Sequence, residues 1–272
     1  MFVQTEAIWT DEIGAALLIQ SIHHPFVLIT ASNGDLCVPY QYYPFSSLHP
    51  AVEYLLRSPL LIRWYSKNPC IYAGHVDGKL VPLPIGPKFQ FNTTDLQGYD
   101  KARVKQAISR AGGHDPRALF LGGAKERRVC GGMWVPNTDR PHYLPHTRLR
   151  RSVAEAMSAL QAAAAGGGGG YIVDSDLREH QEYQELLAAS AFALSPPGAG
   201  LDTHRTWEAL ALGAIPVVWH SPLAPLFRRL PVIAIASPAE LLQHPPPFDG
   251  WRAALLSAAG RIEWVRVTAF WW

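Results

Sequence analysis

The stretch SPPGAGLDTHRTWEALALGAIPVVWH, Ser195 to His220, joins two apolar segments through a loop and a helix. The loop contains two prolines and two glycines. Asp202 and Thr203 are both favoured where a helix begins, and Gly213 is typical of the position where a helix ends. The stretch therefore predicts a strand, a loop, a helix of roughly ten residues and a second strand.

The same alternation recurs along the chain. Apolar runs of strand length, without polar alternation and separated by helix-length segments, are typical of a parallel sheet covered on both faces. The predicted strands are Phe26–Thr30, Leu60–Tyr65, Lys79–Ile85, Ala118–Leu121, Tyr171–Asp174, Ala191–Ser195, Ile215–Trp219 and Leu230–Ile235, and the predicted helices lie at Tyr99–Arg110, Leu149–Ala164 and His180–Ser190. The fold class is therefore predicted to be α/β, with Rossmann-like parallel sheets.

The chain divides into two predicted lobes. Residues 116–272 have the regular pattern of one Rossmann-type lobe, and residues 1–115 form a smaller, less regular N-terminal lobe. In an open α/β sheet, ligands bind at the carboxyl ends of the strands. The loop before the helix that begins near Asp202 occupies such a position, so we expect a ligand there.

Composition limits the possible functions. The chain has 272 residues, of which 48% are apolar, so it can bury a sizeable core. Its formal charge of +2 gives no argument for a nucleic-acid or membrane-surface partner. No apolar run approaches the ~18 residues of a membrane span, and the first twenty residues lack a signal-peptide pattern.

Three cysteines, Cys37, Cys70 and Cys130, are too few and too far apart for a disulfide framework or a metal site. They do not place the chain in an oxidising compartment. The compartment stays open between the cytoplasm and, if an anchor lies upstream of this sequence, the Golgi or secretory route.

Arg205 and Glu208 lie three residues apart at the start of the predicted helix. A cation in the first helical turn opposes the helix dipole, and it becomes favourable when a phosphate binds in front of it. A carboxylate one turn deeper on the same face can accept the hydroxyls of a ribose. On spacing alone, a simple surface ion pair is the favoured interpretation, because such pairs are common at helical spacing.

The full string FALSPPGAGLDTHRTWEALALGAIPVV, residues 192–218, resembles the C-terminal signature of exostosin-like glycosyltransferases. In that group, F-x-L-x-P-x-G leads into R-x-x-E-A-L and a strand ending in I-P-V-V. Fucosyltransferases, which have the two-lobed GT-B fold, show a similar layout. PFVLITASNGD, LIRWYSKNP and KLVPLPIG, in residues 25–86, are similar to the N-terminal half of small exostosin-like proteins.

The resemblance implies a GT-B-like fold with a reduced N-terminal lobe, and transfer of a sugar from a nucleotide-sugar donor to a glycan or other acceptor hydroxyl. It implies that Arg205 contacts the donor diphosphate and Glu208 the nucleoside ribose. The remaining donor-site residues that it implies are Ser195, Gly198, Gly200, Asp202 and His204, the last at a place where fucosyltransferases carry a glutamate.

A second basic group is expected from the loop after Ala118–Leu121 in this architecture. The candidates in and after that loop are Lys125, Arg127, Arg128 and Arg140, and we expect Arg140, because fucosyltransferases place an Asn and a later Arg after this strand. A solvated basic loop without a ligand is the alternative interpretation.

An inverting transfer also needs a base for the acceptor hydroxyl. Asp35, just after the Phe26 strand, is the first candidate and His24 is the second, although Asp35 also suits a simple turn. Asp174 and Asp176 have the spacing of a metal-binding pair, but Asp176 also suits the start of a helix, so we expect no metal and no cofactor.

Two other functions compete with the enzyme. A non-catalytic nucleotide- or carbohydrate-binding protein derived from such a transferase fits the short N-terminal lobe. A nucleic-acid binder could be built on the basic segment Thr147–Arg151, but its arginines have no interleaved aromatic residues and fit the start of a helix better. We therefore expect no nucleic-acid partner.

Overall fold

A computed structural model of the chain describes residues 2–3, 21–31, 50–69, 78–87, 115–121, 125–131, 144–165, 171–174, 180–198, 200–243 and 247–268. Within these ranges the strands belong to two parallel sheets flanked by helices, which confirms the predicted α/β class. None of the helices in this described part is long and apolar enough to cross a membrane.

The first sheet has the strand order β1-β2-β3-β4, and each of its strand pairs is parallel. Its elements are β1 (Phe2–Val3), β2 (Phe26–Thr30), α1 (Pro50–Arg57), β3 (Leu61–Ser66) and β4 (Leu80–Pro82). The strand order follows the chain order, so the described strands contain no point at which the direction of winding reverses. The sequence predicted β2, β3 and β4 but neither β1 nor α1.

The second sheet has the strand order β6-β5-β7-β8-β9, again with every pair parallel. Its elements are α2 (Pro116–Leu121), β5 (Glu126–Cys130), α3 (Leu144–Ala165), β6 (Ile172–Asp174), α4 (His180–Ala189), β7 (Ser190–Leu194), α5 (His204–Leu212), β8 (Ile215–Trp219), α6 (Ala224–Phe227), β9 (Ile233–Ile235), α7 (Phe248–Ser257) and α8 (Trp264–Thr268), with 3-10 turns at Pro238–Leu242 and Ala259–Arg261. Strands β6 and β7 lie on opposite sides of β5, so the chain crosses over β5 between them.

Burial on both faces explains why the central strands could be predicted from apolar runs. All five residues of β7 and all five residues of β8 are buried. Helices cover both sides of this sheet, so no strand face needs polar side chains. The core of the second sheet includes Phe192, Leu210 and Val217, all fully buried.

One predicted strand is wrong: Ala118–Leu121 belongs to helix α2. Pro116 is the first residue of that helix, and the Asp115 carboxylate accepts the Arg117 N–H at 2.9 Å, so this segment has favourable residues for a helix start. The strand of this region is β5, whose sequence Glu-Arg-Arg-Val-Cys is too polar to be recognised from an apolar run.

Other boundaries differ by a few residues. Helix α3 begins at Leu144 and not near Leu149, and β9 begins at Ile233 and not at Leu230. The predicted helix Tyr99–Arg110 lies outside the described residues. In chain order, the last described strand of the first sheet ends at Pro82 and the next described strand, in the second sheet, begins at Glu126. The lobe boundary at residue 115 lies between them and stays a prediction.

Helix α5 ends at Gly213, as the sequence predicted. Gly213 has φ 77°, and the N–H groups of Gly213 and Ala214 bond to the carbonyls of Leu210 and Ala209. This is the pattern of a glycine-terminated helix in which the last carbonyls are satisfied locally. A Cβ at Gly213 would lie 2.4 Å from the side chain of Leu119, so space as well as backbone angle favours glycine here.

We expect Gly213→Ala to lower the free energy of unfolding by at least about 1–2 kcal/mol, the cost of a left-handed conformation for an L-residue. The overlap with Leu119 adds to this cost. Gly250→Ala in α7 is the matched control, because a Cβ there meets no atom within 4 Å. Urea unfolding of both variants checks the expectation, and equal stabilities would contradict it.

Candidate functional site

The carboxyl ends of β5 and β7 define the candidate site. These two neighbouring strands are where the winding of the second sheet reverses, and such switch points leave a crevice in which α/β proteins bind ligands. Cys130 ends β5, Leu194 ends β7, and Ser195 begins the loop that leads to α5. The site predicted from the sequence therefore lies at the switch point of the sheet.

The hydroxyl of Ser195 anchors the start of α5. Ser195 is 3% exposed, and its Oγ bonds to Thr203 Oγ1 at 2.8 Å and to Thr206 Oγ1 at 2.7 Å. Thr203 is the N-cap residue just before α5, and its side chain makes no capping bond to the helix backbone. The start of α5 therefore has no side-chain cap from Thr203, and a helix start favours an anion.

Arg205 and Glu208 share one side of α5 and face Tyr183 on α4. Burial raises the pKa of the Tyr183 hydroxyl well above its ordinary value, the Glu208 carboxylate raises it further, and the nearby Arg205 guanidinium opposes the shift. Glu208 is only 5% exposed, which excludes the simple surface ion pair. The charge of Cys130 also raises the pKa of Tyr183. Cys130 ends β5, so this cluster lies beside the end of that strand.

A second guanidinium reaches the same loop from α3. The Nε of Arg150 donates to the Pro197 carbonyl at 2.8 Å, and a Cβ placed on Gly198 would lie 3.3 Å from the Arg150 side chain. Gly198 therefore leaves room for this cation. From the sequence, Arg150 belongs to a basic segment at a helix start, and Arg140 is the residue predicted for this role. Arg140 lies outside the described residues.

Arg150 could have been found from the sequence if β5 had been placed correctly. A helix that follows a parallel strand begins at the carboxyl edge of the sheet, so the first turns of α3 face the loops of the site. With the strand wrongly assigned to Ala118–Leu121, this rule led to the segment directly after residue 121 and not to α3.

Lys125, Arg127 and Arg128 do not reach the site, because they lie in or before β5. Lys125 Nζ donates to the carbonyls of Ala188 and Leu212, at the ends of α4 and α5, with distances of 2.7 and 2.6 Å. Burial lowers the pKa of Lys125 to about 7. The partners of the two arginines are acidic: Arg127 pairs with Asp249 and Arg128 with Asp174.

Asp202 joins the loops of the two sheets. Its Oδ2 accepts the Ile85 N–H at 2.8 Å, its two oxygens accept the Trp207 indole N–H at 2.9 and 3.0 Å, and its own N–H donates to Asn68 Oδ1 at 2.7 Å. Asn68 and Ile85 follow β3 and β4. The carboxyl ends of the first sheet therefore meet the start of α5 directly.

The contacts of Asp202 with Asn68 and Ile85 form a junction between the two sheets, and Gly200 and His204 also belong to this junction. A Cβ on Gly200 would lie 2.4 Å from the Asn68 amide, so glycine is required for the close approach of Asn68. Asn68 itself has a left-handed backbone, with φ 46°. His204 Nδ1 lies 2.7 Å from the Gly86 carbonyl oxygen. Asp202 and Gly200 thus hold the two sheets together, a role that the sequence did not predict.

Of the two predicted bases, the structure places His24 away from the site, and it does not describe Asp35. His24 is exposed and precedes β2, so it lies at the amino end of the first sheet, away from the carboxyl ends where the loops meet. Asp35 lies outside the described residues, as does Asp176. Within the described ranges, no group of three or more His, Cys, Asp or Glu side chains could hold a metal ion.

A cavity of about 620 Å³ lies at a different place in the molecule, beside the segment that precedes β9. Arg228, Arg261 and Ile262 are among its lining residues, and none of the predicted site residues lines it. The functional assignment therefore rests on the switch point and not on this cavity.

No protein-family model and no curated protein matches the chain. The fold and the geometry of the described residues therefore carry the functional conclusion.

Asp202 gives the junction a measurable pH dependence. Burial raises the pKa of this carboxyl from 3.8 to about 6, although bonds from Ile85, Trp207 and Thr203 and the charge of Lys67 oppose the shift. Because the folded protein binds this proton more tightly than the unfolded chain, the contribution is fully present below pH 3.8 and is lost as the pH rises through about 6.

We expect the free energy of unfolding of the wild-type protein, relative to Asp202→Asn, to fall by about 3 kcal/mol across this window, from about 1.4 kcal/mol per unit of pKa shift. Urea unfolding of both proteins at several pH values measures the difference, in which other titrating groups cancel. Parallel pH profiles for the two proteins would contradict the role of Asp202.

Proposed function

We propose that the chain is a glycosyltransferase that binds a nucleotide-sugar donor at the carboxyl ends of β5 and β7. The observation that carries this proposal is the approach of two guanidinium groups, Arg205 and Arg150, to the start of α5 at the switch point. The resemblance to exostosin-like glycosyltransferases supports Arg205 from the sequence side, whereas for the second cation it led to Arg140 and not to Arg150.

The chemistry of glycosyl transfer fits this arrangement of charge. As the bond between the sugar and the diphosphate breaks, negative charge builds on the departing oxygens. Guanidinium groups bind such oxygens through paired N–H donors, and the N–H groups at a helix start add partial positive charge. Arg205, Arg150 and the first turn of α5 together supply these groups.

Glu208 is the candidate for the donor ribose. Its carboxylate lies one helical turn deeper than Arg205, on the side that faces Tyr183. A buried carboxylate accepts hydroxyl hydrogen bonds strongly, because few waters compete for it. Diphosphate at Arg205 and ribose at Glu208 would then follow the helix inward from its start.

The junction between the two sheets supports a two-lobed enzyme. The loops after β3 and β4 contact the loop before α5, so the carboxyl ends of both sheets face a common region. A donor on the second sheet and an acceptor on the first sheet would meet there. The first sheet is the acceptor side in this proposal.

We expect one of UDP, GDP and CMP to raise the melting temperature of the protein by about 5–10 °C when present at roughly a hundred times its Kd. Arg205→Ala and Arg150→Ala should lose most of this shift, and Arg205→Lys should keep part of it, because lysine retains the charge but not the paired donors.

Arg261→Ala is the matched control for these variants. Arg261 is exposed and lines the cavity beside β9 rather than the switch point. Its shift with nucleotide should equal that of the wild-type protein. An equal shift in all four variants would count against the assignment.

We expect the wild-type protein to release nucleoside diphosphate from a UDP- or GDP-linked hexose, by transfer or by slow hydrolysis, and Arg205→Ala to lose this release. Chromatography of the nucleotide products measures the rate. Nucleotide binding without release would favour the alternative of a non-catalytic binding protein over the enzyme.

A further inference from the structure

His204 has a defined tautomer, because its ring bonds to a group that can only accept. The Nδ1 atom lies 2.7 Å from the carbonyl oxygen of Gly86. A carbonyl has no proton to give, so Nδ1 must carry the hydrogen. In a neutral imidazole, Nε2 is then the atom with the free lone pair, and no described residue bonds to it.

The position of this ring is as informative as its tautomer. His204 is the first residue of α5, and its neighbour Arg205 is the proposed diphosphate ligand. Gly86 follows β4, so the ring spans from the second sheet to the first. It is half-buried, which holds its orientation while leaving part of the ring accessible. A lone pair thus lies where the two sheets meet.

We propose that His204 is the general base of the transfer, a role that rests on the proposed function. Nε2 takes the proton of the acceptor hydroxyl as that oxygen forms its bond to the anomeric carbon. The bond from this carbon to the diphosphate oxygen breaks at the same time, and the electron pair leaves with the diphosphate. The Gly86 carbonyl accepts from Nδ1–H throughout and stabilises the imidazolium that forms.

The bond to Gly86 can be kept while the base is removed. An asparagine amide can place an N–H near the position of Nδ1 but cannot take a proton. His204→Asn therefore preserves the contact with Gly86, and His204→Ala removes both the contact and the base. This pair separates catalysis from support of the junction.

Charged groups around the loop before α5 come from four elements, and their effects must be separated from that of His204 in any pH profile. They are Asp202 in the loop before α5, Arg205 in α5, Lys67 after β3 and Arg150 in α3. Burial raises the pKa of the Asp202 carboxyl to about 6. Asp202→Asn is therefore the control for the acidic limb of the profile.

Release of nucleoside diphosphate from a UDP- or GDP-linked hexose, with water as acceptor, tests the proposal. We expect His204→Asn to lower kcat by about 10²–10⁴-fold, with KM and the nucleotide-induced melting shift within twofold of wild type. The loss of rate toward low pH should disappear in His204→Asn and persist in Asp202→Asn.

A near-normal kcat in His204→Asn, with loss of activity only in His204→Ala, would overturn the role of His204 as the base. It would show instead that His204 supports the junction between the sheets. Absence of any nucleotide-dependent melting shift in the wild-type protein would instead overturn the proposed function and the base with it. A nucleotide-dependent melting shift without any release of diphosphate from the wild-type protein would overturn both the proposed transferase activity and the role of His204 as its base.

The tautomer provides a readout that does not depend on activity. We expect the ¹⁵N chemical shifts of the neutral His204 ring, assigned by comparison with His204→Asn, to show Nδ1 protonated and Nε2 unprotonated. A proton on Nε2 instead would overturn the proposal, because the lone pair would then face Gly86.

Discussion

Asp202 is a carboxylate buried between two parallel sheets, and the geometry of the candidate site depends on how it is satisfied. Burying such a group is costly unless hydrogen bonds replace its water. Ile85 and Trp207 donate to its oxygens, and its own N–H donates to Asn68. These bonds fix the loops after β3, β4 and β7 against one another. The start of α5, with His204 and Arg205, is therefore held against the first sheet.

Positive charge gathers at one end of the second sheet although the whole chain carries a formal charge of only +2. Arg205 stands in the first turn of α5 and Arg150 reaches the loop before it, both against the preference of a helix start for anions. Gly198 leaves the space that the Arg150 side chain needs. An anionic ligand at this place would reconcile the helix dipole with the two cations, which is the physical basis of the proposed diphosphate site.

Much of the second sheet could be predicted, because strands buried on both faces must be apolar throughout. Ile215–Trp219 was predicted to the residue, and Gly213 was identified as the end of α5. The polar strand β5 was missed, since its side chains form ion pairs with partners far away in the chain. Because of that error, Arg150 in α3 was not expected as a cation of the site. His204 could not be predicted as a base from the sequence, because the hydrogen bond that fixes its ring is to Gly86, which is 118 positions away in the chain.

The sequence by itself determined most of the apolar strands and the ends of α5, because hydrophobic spacing and helix-ending residues act over a few positions. It also placed Arg205 and Glu208 on one side of α5. Only the tertiary structure decided which groups meet at the site. Asn68 and Asp202 are 134 positions apart, and Gly86 and His204 are 118 apart. Contacts at such separations leave no local pattern, since they depend on how two sheets pack and not on the residues beside them.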